Sequence, residues 1–531
     1  MILIHSRETK LNGIIPELLW KILEVRVLIL VSLWLQVILI VFGNRRKYIA
    51  NKWLQLGVWV TYLSADWVAT YALGILSTDS KTATRPEFII WASFLLLHLG
   101  GPDTITAYSY EDNEQWLWHM FGLISHLIVV APIVQISWVG GNLFHVTIPV
   151  MVAGVIKYVE RTWSFWLGSS EEFKESILSL PHPGPNYEYF SLDLNENPAE
   201  GNKIWLMVES TPPVSFYHCH LVITNDMIQD IFFLHHAFYL FTIFQFLFSN
   251  LIVSIQEHQN SQCFFQNLAW DDAFKVIEVE LGLVYDKLYT KALTTCTCLG
   301  IFFRCVSFLC TLYAFISFYY LVIDRGHTAI TLVLFIGSIL FEIYAMIVLL
   351  SSSWGRIWFS NQRQGVVDLL YKFISGLQPL FCLSHTIQWW NLVSQFNLIH
   401  FCLKDDKPFK CLKFKKLRRF KQFLKKTLYV NTEPVPEKLK ELIFERLREK
   451  SFRAKHIKAC KILCSNREDG VLNKWKCHSI YWSIKVEFDE SILIWHIATD
   501  LCYYADVTAE SSATVRKNCE TSTFQHKYLQ I

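Results

Sequence analysis

The first 218 residues contain no cysteine, and the fourteen that follow are scattered, several of them inside apolar runs (Cys296, Cys298, Cys305, Cys310). Such a distribution excludes the disulfide framework of a small secreted domain. Gly-x-Ser-x-Gly and glycine-rich phosphate loops are both missing, so the common hydrolase, kinase and dinucleotide-binding classes have no motif here. No small-residue cleavage site follows the first apolar run, which ends at Gly43. That run therefore reads as an uncleaved anchor and not as a removable leader. Charge is lacking over long stretches and crowded into the gaps between them, an asymmetry that the net charge of +3 conceals.

What is present is apolar. Of the 531 residues, 52% are hydrophobic and 15% aromatic, too many for one soluble domain. They gather into eight runs, 27–42, 53–76, 88–99, 116–139, 143–156, 231–255, 304–323 and 328–350. Most are long enough to cross a hydrocarbon core of about 30 Å. Helix is the state expected for them, because a helix satisfies its own backbone in lipid and no alternating barrel pattern occurs. Trp53, Trp91, Trp116, Trp118, Trp138 and Trp163 fall near run ends, as an interfacial belt requires. Residues 88–99 are too few to span unaided, and two glycines and a proline follow them. A re-entrant or broken helix is predicted there.

The expected fold is thus an all-α polytopic membrane bundle of about seven spans plus one short or re-entrant segment, with a mainly helical cytosolic C-terminal region. Arg45, Arg46, Lys47 and Lys52 place the loop after the first helix in the cytosol, by the positive-inside bias. The segment 98–118 then falls on the non-cytosolic side. A lead of 1–26 precedes the transmembrane domain of 27–350, which includes an extramembrane loop at 157–230, with a short helix at 170–180, and a cytosolic segment at 256–292. Residues 351–505 form the cytosolic region, and the polar end, 506–531, is expected to be disordered. In the basic tract 404–426, Lys413, Lys415, Lys416, Arg418 and Arg419 alternate with Phe and Leu. This composition suits contact with anionic lipid headgroups or a calmodulin-type partner, and fits nucleic acid poorly. An amphipathic helix is predicted over 437–463, after Pro434 and Pro436.

Ionisable residues at membrane depth are the first functional candidates, because burying a charge in lipid costs about 2.5 to 3.5 kcal/mol. Asp66 and Glu342 lie mid-run, and Arg304 starts its run. They face a polar cavity, or else they lock the bundle by pairing across helices. His98, Asp103, Glu111, Asp112 and Glu114 add a polar, acidic segment around Gly100-Gly101-Pro102. There Asp103 and Thr104 are placed to cap a following turn, and the segment reads either as a cation-attracting vestibule or as an ordinary acidic loop. His119 and His126 share a helix face two turns apart. His218-Cys-His220 and the set Cys460, Cys464, Cys477, His478 match no common zinc spacing, so neither metal nor cofactor is expected.

Several motifs resemble a plant membrane-protein family, domain of unknown function 4220, usually joined to a C-terminal domain of unknown function 594. They are Phe42-Gly-Asn-Arg-Arg-Lys47, Ala65-Asp-Trp-Val-Ala69, Leu97-His-Leu-Gly-Gly-Pro-Asp-Thr-Ile-Thr-Ala107, Glu111-Asp-Asn-Glu114 and Tyr158-Val-Glu-Arg-Thr-Trp163, then Glu278-Val-Glu-Leu-Gly282, Leu288-Tyr-Thr-Lys-Ala292 and Gln395-Phe-Asn-Leu398. Trp495-His-Ile-Ala-Thr-Asp-Leu-Cys-Tyr-Tyr504 looks like the opening of the second domain, which is expected to be incomplete. The resemblance implies an integral membrane protein and carries over no activity or catalytic residue. No enzymatic activity is expected. Transport or ion passage is the first expectation for function, and a membrane-anchored interaction scaffold the alternative.

Overall fold

Residues 88–99 are apolar on every side, and a helix without a polar face has to be enclosed on every side. The computed structural model of the chain does this. It describes residues 2–47, 51–78, 85–139, 143–172, 226–248, 255–321, 329–360, 391–396, 430–453, 472 and 476–508. The chain divides into two units, Met1–His258 with Val276–Thr386, and Gln259–Lys275 with Ile387–Ile531.

The first unit is helical. It holds α1 (Ile2–Gly43), α2 (Lys52–Thr78), α3 (Pro86–Leu99), the single turn α4 (Tyr110–Asn113), α5 (Trp116–Val139), α6 (Phe144–Leu167) and α7 (Asp226–Phe248). The chain passes between the units within α8 (Ile255–Gln266) and α9 (Trp270–Tyr289), and the first unit continues with α10 (Ala292–Thr295), α11 (Cys298–Leu321), α12 (Ala329–Ser351) and α13 (Ser353–Ser360). Among the described residues, four stretches are long and apolar enough to cross a membrane: Trp20–Lys47, Trp116–Ile133, Cys298–Tyr320 and Ala329–Ser351. Their outer faces carry exposed Trp34, Phe121, Leu309, Tyr320 and Leu340, which is what a lipid-facing surface requires.

α3 is the axis of this unit. Twelve of its fourteen residues are buried, against α1, α2, α5, α6 and α12. Starting the helix with a proline costs nothing, since Pro86 sits where the first N–H has no intrahelical partner. Phe94 meets Phe335 edge to face at 4.8 Å, and Trp91 donates its indole N–H to Thr331 at 2.9 Å. Close approach to α6 depends on small residues. A Cβ on Gly154 would lie 2.9 Å from the Leu97 nitrogen, and one on Gly100 would lie 2.6 Å from the Lys157 Cβ.

At about 1.5 Å per residue, α3 reaches only about 21 Å, and the chain then continues in non-helical form alongside α1. His98 meets Ser32 at 2.9 Å, Thr104 donates to Leu39 O at 3.1 Å, and Arg46 donates to Tyr108 O at 2.6 Å. Tyr108 also donates to Gln55 O at 3.3 Å. Arg46 lies over the Tyr108 ring, 4.1 Å from its centroid. This overturns one expectation: the segment from His98 onward runs to the same end of the unit as Arg45–Lys47, not to the opposite end. Between Gly100 and Ser109 the chain runs through turns and bends, and these contacts carry it along α1 from Ser32 to Arg46, just past the end of that helix.

Other boundaries also move. α11 begins at Cys298, so Arg304 is nearly two turns inside it and does not start it. Asp103 and Thr104 lie in a turn, as expected, though no helix follows it directly. The next helix begins at Tyr110, where Asp112 accepts from the Ser109 and Tyr108 N–H groups at 3.0 and 2.8 Å.

In the second unit, β1 (Leu392–Phe396) pairs antiparallel with β2 (Val430–Pro434), Leu392 opposite Pro434 and Phe396 opposite Val430. These strands were not anticipated, being too short to show alternation. α14 (Glu437–Arg453) follows Pro436, and Gln262 donates to Ser451 O at 2.5 Å. After α15 (Trp482–Lys485), α16 (Phe488–Thr508) carries helix past Asp506, where disorder was expected. The basic tract 404–426, the extension 454–463, residues 173–180 and 509–531, and His218, Cys219, His220, Cys460 and Cys464 lie outside the described residues.

Gly154→Val should lower thermal stability in detergent by about 1 to 3 kcal/mol, the cost of overpacking a tight contact. Gly57 has nothing within 4 Å of a built Cβ, so Gly57→Ala should be neutral or stabilising by up to about 1 kcal/mol. A Gly154→Val protein melting with the wild type would contradict the packing described.

Candidate functional site at the end of a buried helix

A helix that stops inside a bundle leaves its last carbonyls without partners. Here the backbone closes part of the gap, Gly100 N–H donating to Leu96 and Leu97 and Gly101 N–H to His98. Gly101 sits at φ +65°, a left-handed value that glycine adopts without cost. Side chains from three other elements supply the remaining donors. Gln36 of α1 donates to His98 O at 3.0 Å, and Arg161 of α6 to Leu99 O at 2.9 Å. Lys291, between α9 and α10, donates to Gly100 O at 2.9 Å, Gly101 O at 3.4 Å and Lys157 O at 3.1 Å. Cations at a helix C-terminus also oppose the negative end of its dipole.

Two of these donors are buried cations, and each brings its carboxylate. Arg161 grips Asp66 with two bonds, at 2.7 and 2.9 Å. Lys291 lies 3.7 Å from Asp103. Asp103 in turn takes Arg304 at 2.5 Å. Arg304 extends to Glu160 and Glu342, each at 3.4 Å, and Glu342 holds Lys157 at 2.7 Å and Ser307 at 3.1 Å. Lys157, Lys291 and Arg304 thus face Asp103, Glu160 and Glu342, almost wholly out of solvent. A bidentate guanidinium is suited to this bridging, since its fork presents several donors in one plane.

Beside this network is a cavity of about 30 Å3, walled by Gln36, His98, Asp103, Thr104, Lys157 and Ser338 among others. Two of its walls are of opposite charge and the rest are hydrogen-bonding or apolar. Asp103 Oδ1, Glu160 Oε1 and Arg304 Nε are buried there or in the adjoining network without a hydrogen-bond partner.

Of the residues singled out in the sequence, Asp103, Arg304 and Glu342 converge in one cluster, and His98 and Asp103 line the cavity. Asp66 does not line it and is tied to Arg161. The acidic segment is not one patch. Asp103 points into the network, Asp112 holds the start of α4, and Glu114 accepts from Ser170 N–H at 2.8 Å. Glu111 is exposed. His119 stacks on Phe165 at 4.3 Å, and His126 meets Thr70 at 3.1 Å. Among the described residues no group of three His, Cys, Asp or Glu is placed to hold a metal.

Lys157, Glu160, Arg161 and Lys291 were missed. The apolar run ends at residue 156, one position before the first of them, and Lys291 falls in the segment 256–292 expected to be cytosolic. The signal was available. Lys157, Glu160 and Arg161 follow the spacing i, i+3, i+4 and continue the face of Ala153 and Gly154.

One further carboxyl stands apart. Glu280, on α9, is 8% exposed, and burial pushes its carboxyl up to about 7. The folded state therefore binds more protons than the unfolded chain between about pH 4.5 and 7, so stability falls as pH rises through that window. Glu280→Gln should flatten this slope in unfolding scans at pH 5 and pH 8, and an unchanged slope would assign it elsewhere. Lys291→Met should cost about 3 to 5 kcal/mol, as for breaking a buried ion pair, read from unfolding in detergent. A loss below about 1 kcal/mol, the level of an exposed pair, would contradict its capping role.

Residues 59–402, well over half the chain, match the family model described as Domain of unknown function (DUF4220), and the whole network from Asp66 to Glu342 falls inside the match. No curated protein and no solved structure matches the chain. With Glu160, Arg161 and Lys291 from the motifs at 158–163 and 288–292 joined to the α3 end, and the match covering well over half of its length, the protein belongs to the DUF4220 family.

Proposed function

We propose that this protein is a multi-pass membrane protein without catalytic activity that passes a small solute or ion through its helical bundle at the α3 end. The observation that carries the reading is a cavity that has His98, Asp103 and Lys157 in a largely apolar wall, beside a buried charge network. Polar groups at membrane depth are costly, and broken helices whose ends face a cavity are the form that solute sites take in transporters. Each carboxylate of the network already holds a cation, which leaves positioning and passage, not bond-making, as the chemistry on offer.

In the same reading α1, α2, α3 with its extension, α5, α6, α11 and α12 cross the bilayer, seven crossings in all. The 45–52 loop and the C-terminal region are cytosolic, with the basic tract 404–426 against anionic headgroups. The stretch 495–504 opens a domain of the 594 type, and the source is a plant. The second reading, an interaction scaffold, draws on Leu447 and Phe452 of α14, which are 60% and 57% exposed.

Ala345 of α12 is another cavity wall, and Ala345→Phe should fill the space. Flux of labelled ions and small solutes into proteoliposomes should fall to that of protein-free vesicles, with the variant eluting as the wild type does. Unchanged flux would remove the cavity from the route. Single cysteines introduced at Asn51 and near residue 360 in a cysteine-free background should react with an impermeant reagent from the same side. Labelling from opposite sides would contradict the crossings.

A further inference from the structure

The walls of the cavity also specify what it takes. We propose that its cargo is a small neutral hydrogen-bonding solute, of the size of water or ammonia, and not an ion; this rests on the reading of the cavity as a route.

Charge is the first argument. Lys157, Lys291 and Arg304 are each within salt-bridge distance of Asp103, Glu160 or Glu342, and Arg161 is paired with Asp66. Three cations meet three carboxylates in the network, and the separate pair is balanced too. An entering cation finds no carboxylate to itself. Nor does it find the helix-end carbonyls that usually serve cations in broken-helix sites, because Gln36, Arg161 and Lys291 already occupy them. An entering anion meets cations that are equally engaged. Either ion would place an unmatched charge in a water-poor interior, the least favourable condition for it.

Hydrogen-bonding capacity, in contrast, is left over. Asp103, in the cavity wall, keeps a buried Oδ1 that can accept and has no hydrogen-bond partner. His98, Thr104, Gln36 and Ser338 add neutral polar groups to the walls. A molecule with both donors and acceptors satisfies such a lining without adding charge. Size is the third argument. A space of about 30 Å3 holds about two waters, each needing roughly 10–15 Å3 measured this way.

The experiment uses the full chain in proteoliposomes. Water permeability is read from osmotic shrinkage, ammonia from an internal pH dye, and K+ and Cl− from ion release. Wild type should raise water or ammonia permeability several-fold over protein-free vesicles and leave K+ and Cl− release at the vesicle background. Ser338→Leu, which puts a larger side chain into the cavity wall, should abolish the increase. Leu340→Phe, on the exposed face of the same helix, should retain it. K+ or Cl− release above background that disappears in Ser338→Leu would overturn the neutral cargo while leaving passage through the cavity in place. Water or ammonia flux that persists in a folded Ser338→Leu would also overturn the proposal. Absence of every flux in wild type would overturn the proposal together with the passage reading. The wild-type comparison needs no variant to fold.

Discussion

The structure depends on one unmet obligation, the carbonyls at the end of α3. An apolar helix about 21 Å long ends within the bundle, where its last C=O groups have to find partners inside the protein. The protein answers with Gln36, Arg161 and Lys291. Two of these are cations, and a buried cation requires a carboxylate close by. From that follow Asp66 and Asp103, then Arg304 as the bridge from Asp103 to Glu160 and Glu342, then Lys157 on Glu342. A backbone problem in one short helix has thereby drawn charged residues from α2, α6, α11, α12 and the α9–α10 junction into a single buried site.

The same requirement explains the small residues around it. Capping side chains reach the carbonyls only if α6 lies almost against α3, and Gly154 and Gly100 allow that approach. Gly101, at positive φ, turns the chain into the non-helical stretch that follows. That stretch is held at intervals, Thr106 N–H donating to Tyr289 O at 2.8 Å and Asn113 to Leu288 O at 3.0 Å. Lys47, bonded to Asp286 at 2.9 Å, fastens the end of α1 to the same part of α9. The cavity beside the network is bounded by groups that are mostly already committed to each other, so its chemistry is one of leftover hydrogen bonds and balanced charge.

Much of this was legible in the sequence, and what was not has physical causes. Long apolar runs announced helices in a membrane-type bundle, and the short run at 88–99 announced a special helix because length alone disqualified it from spanning. Asp103, Arg304 and Glu342 were found because charge is conspicuous in apolar surroundings. Lys157 and Arg161 were not, since a search for apolar runs stops at the first charge although the helix does not. That the chain after His98 runs to the Arg46 end is not legible for a similar reason. Hydropathy registers apolar helix and is blind to a non-helical polar stretch that is sheltered by its neighbours. Pairings such as Arg161 with Asp66, 95 residues apart, are set by tertiary packing and leave no local trace.

The central claim is that Arg161 is present to cap α3 and that Asp66 is present to balance Arg161. A double-mutant cycle in detergent separates these roles. Removing both as Asp66→Asn with Arg161→Met abolishes the charge pair and leaves Leu99 O without its donor. The account predicts that the double variant stays less stable than wild type by about 1 to 3 kcal/mol, the cost of a buried unsatisfied acceptor, while Arg161→Met alone loses more. A double variant as stable as the wild type would contradict it, because the pair would then be dispensable and the helix end would owe it nothing.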